Sequence, residues 1–93
     1  MFEIKNSGGR ITLVGRFDAS RAEAAKEVFS TVTTSADVDF SQLTYISSAG
    51  LGVLLGTQKR LAQSGHHLRL RNLNHHIREI FHIAGFDQIF EID

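Results

Sequence analysis

Apolar and polar residues alternate from the start of the chain, Phe2 and Ile4 against Glu3 and Lys5, the period of a half-buried strand. Asn6-Ser7-Gly8-Gly9 follows, a turn composition in which Asn and Gly accept positive φ. Ile11, Leu13 and Phe17 then recur at even spacing through Gly15, so a second strand is expected to pair with the first as a hairpin. Ser20-Arg21-Ala22-Glu23 reads as a capping box with Ser20 at the N-cap, and Ala22, Ala25, Phe29 and Val32 make one helical face behind it. Residues 36–40 predict a third strand, with Val38 and Phe40 on one side and Asp37 and Asp39 on the other, followed by a polar link, Ser41-Gln42-Leu43-Thr44.

The clearest helix starts near Ser48. Its inner face is expected at Leu51, Leu54, Leu55, Gln58, Leu61 and Ala62, and Gly65 ends it in the C′ position. Residues 67–71 alternate as a fourth strand. Asn74 can cap a third helix with Ile77, Ile80, Phe81 and Ala84 inward and Gly85 as its stop, and residues 88–92 form a last strand or docking segment. Strands that alternate with helices need crossovers. The prediction is therefore a single α/β domain over residues 1–93. Its sheet is mixed and largely parallel, of about five strands, with an N-terminal hairpin and three to four helices.

Composition narrows the chemistry. Ten basic residues balance ten acidic ones, and the basic excess of a nucleic-acid binder is missing. A near-zero net charge fits a monomer or weak dimer and does little to oppose self-association. The chain has no cysteine, which excludes disulfides and thiolate chemistry. Met1 to Lys5 carries no basic region followed by an apolar run, and the apolar stretch at residues 49–55 is far short of a membrane span, so a cytoplasmic protein without membrane insertion is expected. No phosphate-binding glycine loop or dinucleotide fingerprint is present. The five histidines include two adjacent pairs, His66-His67 and His75-His76, whose members diverge on a strand or helix. With His82 they make a weak metal signal. Ile46 stands where a nucleophile elbow around Ser48 would need glycine. Neither an enzyme nor a cofactor is expected, and Lys59, Arg60, Arg69 and Arg71 read as a solvated face.

One segment asks for more than folding, Ser47-Ser48-Ala49-Gly50-Leu51-Gly52 through Gly56. Each interior glycine costs a helix about 1 kcal/mol against alanine. Ser48, Gly52 and Gly56 are four residues apart and share a face, which the leucine stripe turns away from the core. Two readings stand side by side. In one, Ser48 is an N-cap and the glycines fit a neighbouring element of the same domain. In the other, the row is a partner surface and Ser48 a chemical switch at its edge.

The stretch Asp39-Phe40-Ser41 and Tyr45-Ile46-Ser47-Ser48-Ala49-Gly50-Leu51 resembles the anti-sigma-factor antagonists of the STAS-domain family. Their pattern is an apolar strand ending in Asp, then Asp/Ser-Ser-Ser/Ala-Gly-Leu. The resemblance continues at Gly15-Arg16-Phe17-Asp18, at Gly65 with Leu68-Arg69-Leu70 and Asn72, and from Ile80 to Gly85-Phe86 and Phe90. It implies a STAS fold and a partner-switching cycle. The unphosphorylated antagonist binds an anti-sigma factor that is itself a serine kinase, phosphorylation releases it, and a PP2C-type serine phosphatase restores it. By motif the phosphoacceptor is Ser48, with Ser47, at a position often held by Asp, as the secondary candidate. Asp18, Ser47, Ser48, Ala49, Gly50, Gly52 and Gly56 are expected to meet the partner, and Asp39 to support the serine loop. The same family also supplies accessory subunits of lipid-transporting ABC systems. A structural subunit of a sensory complex is the third reading.

Overall fold

The two glycines of the first turn, Gly8 and Gly9, both have positive φ, +59° and +86°, the conformation a two-residue hairpin needs to match strand twist. In the computed structural model, which describes residues 1–93, they join β1 (Phe2–Ser7) to β2 (Arg10–Phe17) as an antiparallel pair. The chain continues through α1 (Ala22–Phe29), β3 (Ala36–Ile46), α2 (Ser48–Ala62), β4 (Leu68–Arg71), α3 (His75–Ile83) and β5 (Glu91–Ile92). The sheet order follows the chain, β1-β2-β3-β4-β5, and every pairing after the first is parallel. This is the expected mixed five-strand sheet with an N-terminal hairpin.

Register sorts the two faces. Ile11 pairs with Val38 and Val38 with Leu70, all fully buried. The same apolar cluster takes in Ala25 and Phe29 of α1, Leu54 and Leu61 of α2, and Ile77 and Phe81 of α3, so the helices cover one face of the sheet. The opposite face is polar. There Arg69 pairs with Asp37, Arg10 with Asp39 at 3.1 Å and Arg71 with Asp93 at 2.9 Å.

Three local expectations change. Ser20 is not the cap of the first helix. Asp18 instead caps a single 3-10 turn (Ala19–Arg21) that leads into α1, accepting from the Ser20 amide at 3.1 Å and its hydroxyl at 2.6 Å, and α1 itself starts after Arg21 with no side-chain cap. The polar link after Phe40 is strand. Between Thr12 and Val14, two steps on β2 match three on β3, and between Gly15 and Arg16 one step matches two. These bulges let β3 run on through polar residues to Ile46. On the other side of β2, Gly15 makes room for the start of the chain. Its φ is +89°, and a Cβ there would lie 2.2 Å from the Met1 carbonyl oxygen.

The third change is the rotation of α2. Its buried positions are Gly50, Leu54, Thr57 and Leu61, while Leu51 and Leu55 are half-buried and Ala62 is exposed. Gly65 does end the helix as expected. With φ at +76° it donates to Ala62, while His66 donates to Leu61, the paired bonds of a Schellman closure.

Candidate functional site

Parallel strands β2 and β3 end side by side, Phe17 against Ile46, and the Ser47 amide donates to the Phe17 carbonyl at 2.9 Å. That bond brings Asp18 and the start of α2 together at the C-terminal end of these two strands. The two serines then divide their roles. Ser47 has extended backbone, φ −87° and ψ 169°, and its hydroxyl oxygen accepts from the Gly50 amide at 3.1 Å. It is the N-cap. Ser and Asp are both good caps, which gives a physical reason for either at this position. Ser48 is the first helical residue, exposed, and its hydroxyl makes no hydrogen bond within the chain. The reading in which Ser48 caps its helix is thereby overturned, and its oxygen is left accessible.

The glycines divide as well. At Gly52 and Gly56 a Cβ would meet nothing within 4 Å, so neither is needed for packing inside this domain, and both are exposed. The reading in which the row fits a neighbouring element of the same domain is overturned. Gly50 is the opposite case. It is buried, and a Cβ would lie 3.0 Å from Ile46 Cγ1 and 3.1 Å from Phe17 Cγ. Although the motif groups it with the surface residues, Gly50 lies beneath them as a close-packing position and is withdrawn from the contact set. Ala49, half-buried, borders a groove of about 480 Å³ between α1 and α2, together with Gly52, Val53 and Gly56 and, from α1, Glu23 and Lys26.

Asp18 is half-buried beside this turn. The bond from the Ser20 hydroxyl, aided by the Ser20 amide and by Arg21 and Arg16, holds its carboxyl below the ordinary carboxylate value. It is therefore a fixed negative charge near Ser47. Asp39 acts elsewhere. Burial pushes its carboxyl up, but bonds from Asn72 at 3.0 Å, from the Ser41 amide and hydroxyl at 3.0 and 3.1 Å, and from Arg10 outweigh burial and hold it below its usual value. None of these partners belongs to the serine turn. Asp39 braces the first bulge of β3, and its support reaches Ser47 only through the strand.

Two features escape a reading by sequence. The Arg16 guanidinium lies 4.3 Å from the centre of the Tyr45 ring, a cation–π contact made because the second bulge sets these residues opposite each other. Arg60, expected in a solvated face, donates to the backbone of α1 and the turn after it. The histidines form local pairs instead of a cluster. His67 lies 3.1 Å from Glu91, His82 lies 2.7 Å from Asp87, and the latter bond raises the His82 pKa. No helix is long and apolar enough to cross a membrane.

A family model described as "Mlab, STAS domain" matches residues 1–91. The anti-sigma-B factor antagonist of Listeria monocytogenes is 31% identical over 86 residues, covering 88% of this chain and 75% of that protein. BtrV of Bordetella bronchiseptica, provisionally named an anti-sigma factor antagonist, is 47% identical over 55 residues. That match covers 59% of this chain and spans 47% of BtrV, about half its length. Among solved structures, the Bacillus cell fate determinant SpoIIAA in its phosphorylated form shares the fold with a TM-score of 0.73 at 20% identity, over 100% of this chain and 91% of that one.

Proposed function

Because this chain belongs to the STAS-domain family, as an anti-sigma-factor antagonist by its relatives, we propose that it works as a binding module switched by phosphorylation at Ser48. The unphosphorylated form binds an anti-sigma factor that is a serine kinase and so frees a sigma factor. Phosphate on Ser48 ends the contact, and a PP2C-type serine phosphatase renews it. The contact surface is Ser48, Gly52 and Gly56 with Asp18, Ser47 and Ala49 beside them. The cycle operates in the cytoplasm.

The observation that carries the reading is the division of labour at the start of α2. Ser47 is engaged in the cap, whereas Ser48 is exposed and unbonded at the head of two glycines that meet nothing. A row without side chains admits the backbone or helix of another molecule at close range. A helix N-terminus favours an anion by about 0.3–1 kcal/mol, so a phosphate on Ser48 leaves its own domain folded. The same group adds nearly two negative charges to the approach face. Against one carboxylate at about 4 Å, each charge meets repulsion of order 4 kcal/mol at surface-like dielectric. A tenfold loss of affinity needs about 1.4 kcal/mol, so one phosphate is sufficient.

The test is a pull-down from the native host with wild type, Ser48→Ala and Ser48→Glu as baits. A small serine kinase held by the first two baits and lost by the third establishes the switch. A transporter ATPase recovered by all three replaces the reading with that of an accessory subunit. Recovery only of large self-assembled complexes points instead to a structural subunit of a sensory assembly.

A further inference from the structure

Strand β1 is the longer of the sheet's two edges, six residues against two in β5, and is paired on one side only. Its six residues pair with β2 without a bulge, and the chain contains no proline to guard the edge. Edges of this kind are usually blunted by a bulge, a proline or an isolated lysine. Lys5 is a lysine of that sort, but Glu3 stands two residues before it on the same face.

The hydrogen-bond phase of β1 follows from two observations. The Arg16 amide donates to the Met1 carbonyl at 2.9 Å, and Phe2 lies opposite Gly15. In an antiparallel ladder, bonding alternates from residue to residue. Met1, Glu3, Lys5 and Ser7 therefore turn their backbone groups toward β2, and Phe2, Ile4 and Asn6 turn theirs outward to the unpaired edge.

We infer that this edge pairs with β1 of a second copy of the chain, antiparallel and centred on Ile4. In that register the outward groups match. Ile4 exchanges two bonds with its own counterpart, and Phe2 exchanges bonds with the second copy's Asn6. Glu3 then falls opposite the second copy's Lys5, at the close, non-hydrogen-bonded positions where cross-strand charges act most strongly. The two-fold axis makes that ion pair twice. Centring on Glu3 or on Lys5 would set like charges against each other, and a parallel in-register pairing would do so at both positions. Charge thus selects one register, and the lysine that would repel other edges becomes a recognition element for this one. The two five-strand sheets join into one of ten strands. Ser48 and the glycine row stay outside the contact, because they lie on α2, which follows β3, two strands in from the edge.

Sedimentation equilibrium on the full chain tests the pairing. Wild type is expected to dimerise reversibly, and Glu3→Lys or Lys5→Glu alone to weaken the dimer about tenfold or more, since two attractive pairs become repulsive. An equimolar mixture of the two variants is expected to associate again, and the chain carrying both exchanges to behave as wild type. Ile4→Pro removes an outward amide without touching the β2 ladder and is expected to abolish the dimer. A wild-type chain that stays monomeric to about 1 mM overturns the inference, as this is the range of the weakest specific contacts. A dimer that both charge reversals leave unchanged, or a mixture that fails to restore association, overturns it too and assigns the contact to another surface.

Discussion

Arg60 Nη2 donates to the carbonyl oxygen of Phe29 at 3.0 Å, and the same guanidinium reaches the Val32 carbonyl through Nη1 at 2.8 Å. A side chain of α2 thus closes the C-terminal end of α1, where backbone carbonyls have no helical partner and the dipole favours a cation. The fork of the guanidinium spans two acceptors at once, which a lysine ammonium cannot reproduce with the same geometry.

Replacing Arg60 with Ala is expected to cost about 1–2 kcal/mol, the worth of charge-assisted bonds to backbone at a partly solvated site. Arg60→Lys should recover less than half of the loss. Urea unfolding of the three proteins measures the difference, and equal midpoints for wild type and Arg60→Ala would show the cap to be idle.

Gly50 and Gly52 should respond in opposite ways. Gly50→Leu forces a side chain against Phe17 and Ile46, an overpacking that costs about 1–3 kcal/mol. Gly52→Ala meets open space and removes the flexibility of a helical glycine, so it should raise stability by up to about 1 kcal/mol. Gly52→Leu should keep the fold and lose binding to the proposed anti-sigma-factor partner. Thermal unfolding and a binding titration on the same samples separate the two effects, and normal binding by Gly52→Leu would move the interface elsewhere.

Ser47 and Ser48 are also separable. Ser48→Ala should accept no phosphate and remain competent to bind. Ser47→Ala should still be phosphorylated at Ser48 but lose about 1 kcal/mol of stability with its cap. Mass-spectrometric mapping after incubation with the cognate kinase is the check, and phosphate found on Ser47 or Thr44 in the wild type would displace the assignment.

Asp39 ties stability to acid. Its folded pKa lies below the unfolded value, so its contribution is present above about pH 4, the unfolded carboxylate range, and fades as pH falls through the folded pKa. Asp39→Asn should therefore cost about 1–3 kcal/mol at pH 7, where it leaves Arg10 and Asn72 without their charged acceptor, and progressively less toward pH 2. Parallel denaturation curves at pH 7 and pH 3 with the same gap would show that the carboxylate charge is not what matters.

Much of this fold is legible locally because its signals act between near neighbours. The alternation of Phe2 to Lys5, the glycine turn, the Asn74 cap bonded to the Ile77 amide at 2.8 Å and the Gly65 closure each depend on a few adjacent residues. The family motif around Ser48 was legible for the same reason. Ser41 to Thr44 looked like a link because bulges are written in the pairing of two strands, not in either strand alone.

What the amino-acid order determined by itself is the succession of elements, the α/β class and the common helix face of Ser48, Gly52 and Gly56. Tertiary structure decided the rest. It assigned the cap to Ser47 and freed Ser48, because the Phe17 carbonyl holds the Ser47 amide at the strand end. It also separated Gly50 from Gly52. Two identical residues on one helix differ only in the direction they face, and that direction is set when α2 is turned against Phe17 and Ile46, residues from two other segments of the chain. A helix's rotation about its own axis is a property of what it packs on.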